Sequence, residues 1–333
     1  MKNYTTENIR NVALISHGGA GKTSLAEAMI FTAGATNRLG KVDAGTTTTD
    51  FDQEEIKRQI TINTSLAPIE WKNVKINLLD TPGYFDFIGD TISALRVADA
   101  AVMVVSATSG VEVGTEKFWA YADEYKLPRL VFVNKMDREN ADFGKVFAQL
   151  QEFFGLNVVP MQLPIGAADT FAGVVDLVAL KAYSFSDNGK KMTEGEIPAE
   201  LNDAVEEYRE KLIEAVAESD DDLLMKYLEG EELTDDEINA ALRTGILTGK
   251  VVPILCGAAT LNTGTQPLLD TIATSFPSPA DAGEVKGTNA DDEEVAIKVD
   301  ANGPVSALVF KTLVDPFVGK ITYFKVYSGT VTG

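Results

Sequence analysis

Three short runs carry residue types that chemistry can use, and each follows an apolar stretch of strand length. The first is Ser16-His17-Gly18-Gly19-Ala20-Gly21-Lys22-Thr23-Ser24, entered from the apolar residues 12–15. Glycines there let backbone N–H groups close around phosphate oxygens. Lys22 supplies a point charge for β- and γ-phosphates, and the Thr23 hydroxyl is a ligand for Mg²⁺. A helical pattern over residues 24–32 follows, and its N-terminus adds partial positive charge. The general phosphate-loop pattern has Gly where this chain has Ser16. A dinucleotide-binding reading of Gly19-Ala20-Gly21 is weaker, because Ser24 stands in place of the third glycine and the sequence around Asp43 is no strand end.

The second run is Asp80-Thr81-Pro82-Gly83, reached directly from the apolar residues 74–79. The Asp80 carboxylate can hold Mg²⁺ through water while the Gly83 N–H meets a γ-phosphate. The third is Asn134-Lys135-Met136-Asp137, at the end of residues 129–133 (RLVFV). The Asp137 carboxylate can accept both N1–H and N2–H of guanine, which adenine cannot match. The Asn134 amide can reach N7 and tie its loop to the phosphate loop, and the Lys135 stem can lie along the purine face. After the apolar residues 251–256, the turn Gly257-Ala258-Ala259 offers a backbone N–H, that of Ala259, to guanine O6.

Strands alternating with helices must position these runs. The pattern predicts strands over 62–71, 74–79, 100–106, 129–133 and 251–256, with helices over 86–97, 112–126, 142–154 and 266–276. The fold class is α/β: a P-loop GTPase-type domain with a mostly parallel sheet, helices on both faces and the ligand beyond the strands' carboxyl ends. Residues 37–59 have no period and read as a functional or disordered loop. An inserted subdomain is expected at about 158–250, β-rich first and then helical and acidic. Its most acidic part, 219–237, is either a solvated helical face or a docking face for a basic partner; a calcium loop does not fit. The nucleotide domain is then 1–280 and 281–294 a linker. Residues 295–333 turn to period two, as the start of a β-barrel domain. So few strands cannot close a barrel, so the expectation is a fragment cut inside its second domain.

At 333 residues two or more domains are expected. Asp and Glu outnumber Lys and Arg by 50 to 29, a net charge of −21 that disfavours DNA and any large nucleic-acid surface. The one histidine, His17, leaves no Ser-His-Asp catalysis elsewhere, and the one cysteine, Cys256, excludes an internal disulfide framework. No secretory signal is visible, and no apolar stretch approaches the ~20 residues of a membrane span. The expected location is cytoplasmic, with no membrane partner.

The runs HGGAGKTS, RQITI, DTPG, NKMD and CGAA together resemble the signatures of translational GTPases. PIGAADTFAGVVDLV, FPSP and ALVFKTLVDPFVGKITYFKVYSG are similar to elongation factor G. The resemblance implies GTP and GDP as ligands, with Ser16 to Thr23 around the phosphates and Mg²⁺ on Thr23, Asp80 and, in the GTP state, Thr61. Residues 37–59 would be the first switch, and Asp80, Thr81, Pro82, Gly83 and Tyr84 would lie in the second. Lys22, Gly83 and Tyr84 would serve hydrolysis. The implied partner is the ribosome, through a large-subunit RNA loop and through the stalk protein, which would meet the acidic insert.

Three departures point to a divergent elongation factor G-like paralogue. Tyr84 stands where the family has the His that orients water, and a phenol titrating near ~10 is neutral at pH 7. Gly19 replaces an acidic residue that helps hold a monovalent cation. Gln59 replaces the Gly of RGITI. The implied activity is GTP hydrolysis on the ribosome, slow without it, in translocation or related remodelling. The alternative is a ribosome-protection-type or non-translocating switch with weak hydrolysis because of Tyr84.

Overall fold

The computed structural model describes residues 2–289, 291–315 and 318–332. The apolar run before the phosphate loop is β1 (Ile9–Ile15), and the loop ends in helix α1 (Lys22–Thr32). Residues 37–59 carry a 3-10 turn (Val42–Ala44) and a short helix α2 (Gln53–Arg58). A capping box starts α2: the Asp52 side chain accepts from its first turn and the Glu55 carboxylate accepts from the Asp52 N–H. Then come β2 (Ser65–Trp71) and β3 (Val74–Asp80), joined through Lys72 and Asn73, both at positive φ as a tight hairpin turn requires. β2 is an edge strand, and it tolerates Pro68 for that reason.

The helix expected over 86–97 is a 3-10 turn (Phe85–Phe87) followed by α3 (Ile88–Leu95). There follow β4 (Ala100–Ser106), α4 (Val113–Glu124), β5 (Arg129–Asn134) and α5 (Phe143–Phe154), which the Asp142 carboxylate caps by accepting from Lys145 N at 2.9 Å. β4 is buried along its whole length, as a continuous apolar run in a covered sheet should be.

β6 (Val158–Pro160) is the first element of the stretch expected to be the insert, yet it is the seventh strand of the main sheet. It pairs parallel with β11 (Val252–Cys256) once the antiparallel sheet β7 (Gln162–Ile165), β8 (Gly173–Asp176), β9 (Lys181–Ser186), β10 (Lys191–Gly195) and helices α6 (Asn202–Ala217), α7 (Asp221–Leu228) and α8 (Asp235–Thr248) have intervened. Three residues are too short to declare a partner so remote in sequence. Part of the acidic 219–237 run is accounted for locally. Asp235, Asp236 and Glu237 occupy the first turn of α8, where the helix dipole favours negative charge, and Thr234 and Glu237 form a capping box.

The main sheet has the order β2-β3-β1-β4-β5-β11-β6, parallel except for β2. α9 (Thr265–Ser275) packs against α1 and closes this domain. Phe118, Phe132, Phe276, Leu14 and Ile15 are among its fully buried side chains; each contributes about 1.5–3 kcal/mol relative to exposure. The expected linker 281–294 is not structureless. It holds β12 (Glu284–Thr288), which pairs antiparallel with β13 (Glu294–Lys298) through Val285 opposite Ile297 and a Lys286–Glu294 ion pair at 2.5 Å. A second antiparallel hairpin, β14 (Ser306–Asp315) with β15 (Gly319–Ser328), follows, as expected for the start of a barrel. Lys311 of β14 reaches Asp90 Oδ2 and Thr64 O, both at 2.9 Å, and Lys325 of β15 pairs with Asp99.

Among the described residues no helix is long and apolar enough to cross a membrane. Cys256 is completely buried, and burial pushes its thiol well above the ordinary range. The native protein is therefore expected to resist a thiol reagent and to react with one equivalent after denaturation; rapid labelling of the native state would contradict this packing.

Candidate nucleotide site

Loops at the carboxyl ends of β1, β3, β5 and β11 surround a cavity of about 570 Å³. Gly21 turns the chain into α1 with φ +98°, a conformation that needs glycine, and a Cβ there would strike the Asn134 amide. Lys22 is buried: its Nζ donates to Ser16 Oγ at 2.9 Å and lies beside Gly83. Burial holds the ammonium down to about 8, against the pull of Asp80 and Asp50.

The two threonines expected on Mg²⁺ come together although 38 residues apart. Thr23 Oγ1 and Thr61 Oγ1 share a hydrogen bond of 2.8 Å. Behind them Asp80 is fully buried, its Oδ2 accepting from Thr49 Oγ1 at 2.7 Å while Oδ1 has no partner among the described residues. Asp50, also buried, has an equally unpartnered Oδ1. Burial raises the Asp80 carboxyl to about 6. Burial first and the Asp80 charge second raise that of Asp50 to about 7. Among the described residues no three His, Cys, Asp or Glu groups form a metal cluster. The set here is two hydroxyls backed by two underused carboxylates. That suits a hard cation sharing its ligands with phosphates.

Across the cavity, Asn134 Nδ2 donates to Ala20 O at 3.0 Å and Asn134 Oδ1 accepts from Ala259 N at 3.0 Å, so one amide joins three loops. Lys135 Nζ donates to Gly19 O at 2.7 Å. Asp137 Oδ2 accepts from Thr260 Oγ1 at 3.2 Å, and its Oδ1 is buried without a partner among the described residues. Tyr84 lies on the wall, 41% exposed, its ring so close over Gly18 that a Cβ there would come within 2.8 Å of it.

Of the residues expected from the sequence, Gly18, Gly19, Gly21, Lys22, Thr23, Ser24, Thr61, Gly83, Tyr84, Asn134, Lys135, Asp137 and Ala259 line this cavity. Ser16, Ala20, Asp80, Thr81, Pro82, Gly257 and Ala258 stand behind the wall and support it; Thr81 Oγ1, for example, donates to Leu14 O at 2.6 Å. His17 also lies off the wall. Its ring accepts from Gly114 N at 3.3 Å and sits 3.6 Å from Glu112. The sequence reading missed Asp50, the lining residues 40–43, and Thr260. It also missed two buried glutamates that hold the loop over residues 37–63. Glu27 accepts from Gly40 N at 3.2 Å and from Thr48 N, and Glu55 accepts from Ile62 N and Asn63 N at 3.0 and 2.9 Å. A lone Glu among the apolar residues of α1 was the available signal. Asp50, in a polar stretch without period, gave none.

A phosphate loop, a threonine pair, a buried aspartate at a strand end and an Asn-Lys-x-Asp loop on one α/β sheet define a P-loop purine-nucleotide-binding domain. The family described as Elongation factor Tu GTP binding domain matches residues 7–278. The chain belongs to this family of translation-factor GTPases. It is also similar to the crystal structure of ttk003000868 from Thermus thermophilus, with a TM-score of 0.86 and 36% sequence identity. That match covers 97% of this chain and 46% of the other, so this chain spans about half the length of that relative.

The carboxyls of Asp50 and Asp80 bind protons more tightly in the folded, nucleotide-free protein than in the unfolded chain, where such a group titrates near ~3.9. The stability this contributes is full below that pH and is lost as pH rises through about 6 and about 7. Asp50→Asn is therefore expected to flatten the fall in stability over that window in urea melts without nucleotide. An unchanged slope would contradict the assignment.

Proposed function

We propose that this chain binds GTP and GDP in the cavity, hydrolyses GTP, and acts on the ribosome as an elongation factor G-like paralogue. The observation that carries the reading is the Asp137 carboxylate, which lines the same cavity as Lys22 at the end of the Asn134 loop. Guanine supplies two donors on one edge; adenine presents an acceptor there. Residues 1–280 are taken as the GTP-binding domain and the β14–β15 hairpin as part of a following β-barrel domain.

The backbone N–H groups of the phosphate loop and the Lys22 ammonium would hold the β- and γ-phosphates, and their charge would restore the full protonation that burial opposes. Mg²⁺ would be held by the Thr23 and Thr61 hydroxyls with Asp80 and Asp50 behind them, and it would neutralise charge on the phosphate oxygens. Hydrolysis adds water across the terminal P–O bond, giving GDP and phosphate. The Tyr84 hydroxyl would orient the attacking water by hydrogen bonding, the Gly83 N–H would meet the γ-phosphate, and Lys22 would stabilise the charge that spreads over its oxygens.

A second reading, a switch that hydrolyses little, is favoured by the Tyr84 ring packed against Gly18, where the related pattern has a histidine. The ribosomal contacts would be a large-subunit RNA loop and the stalk protein. The latter would dock on α7, where exposed Met225 and Leu228 stand among Asp221, Asp222, Glu229, Glu231 and Glu232, an arrangement suited to a basic amphipathic helix. Contact through one short RNA loop and a protein needs no basic belt and fits the −21 charge. A factor acting on the ribosome in this way would work in the cytoplasm.

Phosphate release with and without ribosomes tests the reading. Turnover alone is expected on the order of 10⁻⁴ to 10⁻² per second, with marked stimulation by ribosomes and a loss of about tenfold in the stimulated rate for Tyr84→Phe. No stimulation would contradict ribosomal action, and an unchanged rate in Tyr84→Phe would contradict the water-orienting role.

A further inference from the structure

We propose that Thr260 is a positioning residue that sets guanine selectivity by fixing the rotation of the Asp137 carboxylate. The inference rests on the GTP-binding reading and assigns a role to a residue outside the NKMD run.

A carboxylate on its own is a poor template, because the terminal torsion of Asp is broad and roughly two-fold. Two donors on one edge of a base are met together only when both carboxylate oxygens lie in the plane of the base. Asp137 has one oxygen restrained by a side chain and one packed out of solvent contact. Oδ2 accepts from Thr260 Oγ1 at 3.2 Å, while Oδ1 is buried and unpartnered among the described residues. Arg138 Nε stands 3.7 Å from the same Oδ2 and its side chain is 58% exposed, too distant and too solvated to fix the torsion. The Thr260 hydroxyl is thus the directional restraint. The Asp137 side chain is 15% exposed, so water contributes little to holding it.

The placement of Thr260 is itself determined. It sits in the 3-10 turn Ala259–Leu261, pinned on both sides by Ala258 and Thr263 through a backbone bridge. The same turn gives the Ala259 N–H to Asn134 Oδ1. One short turn therefore grips both ends of the base-reading loop, Asn134 by a backbone donor and Asp137 by a hydroxyl. Losing the hydroxyl frees the carboxylate to rotate, which costs a two-donor base its second contact but leaves a one-donor base nearly as well held.

Calorimetry of the wild type, Thr260→Val and Thr260→Ser with GDP and with inosine diphosphate, whose base lacks the exocyclic amino group, tests this. Valine keeps the branched shape at an exposed position and replaces the hydroxyl with a methyl group that cannot donate. We expect Thr260→Val to weaken GDP about fivefold and inosine diphosphate less than about twofold, with Thr260→Ser close to wild type. Equal weakening of both nucleotides, no weakening, or a serine variant as poor as the valine variant would overturn the assignment. A wild type that binds no GDP would instead overturn the GTP-binding reading, and the role of Thr260 with it.

Discussion

The structure depends on keeping charge away from water beneath a glycine turn. Lys22, Asp80 and Asp50 are buried together, and each is pushed toward its neutral form by desolvation. Burying such groups costs several kcal/mol each unless partners satisfy them. Here the partners are incomplete: an oxygen of Asp80 and one of Asp50 have none among the described residues. A sheet whose strands β4, β5 and β11 are buried along their whole length supplies the stability that tolerates this. A polyanion with a divalent cation is the kind of ligand that would discharge the strain.

The fold of residues 37–59 follows from the same constraint. Residues 37–59 lack the apolar periodicity to fold on their own. They are held by buried carboxylates instead: Glu27 from α1 accepts backbone N–H groups of the loop, and Glu55 accepts those that follow it. The loop then delivers Thr61 to Thr23. Its exit, at Thr64, is tied to Asp90 of α3, and Lys311 of the β14–β15 hairpin closes that junction. The loop over residues 37–64, α3 and the second hairpin thus meet at partly buried polar contacts, which have narrower geometric tolerance than apolar packing. Gln59, where the related pattern has Gly, sits at φ 56° and bears a strain that glycine would not.

Much of this was legible because strand ends punctuate the sequence. AAVMVVS and RLVFVN can only be covered strands, and GKT, DTPG and NKMD gain meaning from the strands that precede them. The hidden parts share a cause. β6 is a very short strand and holds its place by pairing with β11, far later in the chain. β12 is disguised by small and acidic residues and exists through its cross-strand partners. Asp50, Glu27, Glu55 and Thr260 have roles set by tertiary contacts that no local pattern encodes, while His17, inside the loop motif, turns its ring toward α4.

The central claim is that one carboxylate, Asp137, selects the base while the turn around Lys22 holds the phosphates. Calorimetric titration of the purified protein with GDP and with ADP, both with Mg²⁺, tests it most directly. GDP binding at least about a hundredfold tighter than ADP is expected, because adenine offers the Asp137 carboxylate no pair of donors on one edge. Equal affinity for the two, or no uptake of either, would contradict it.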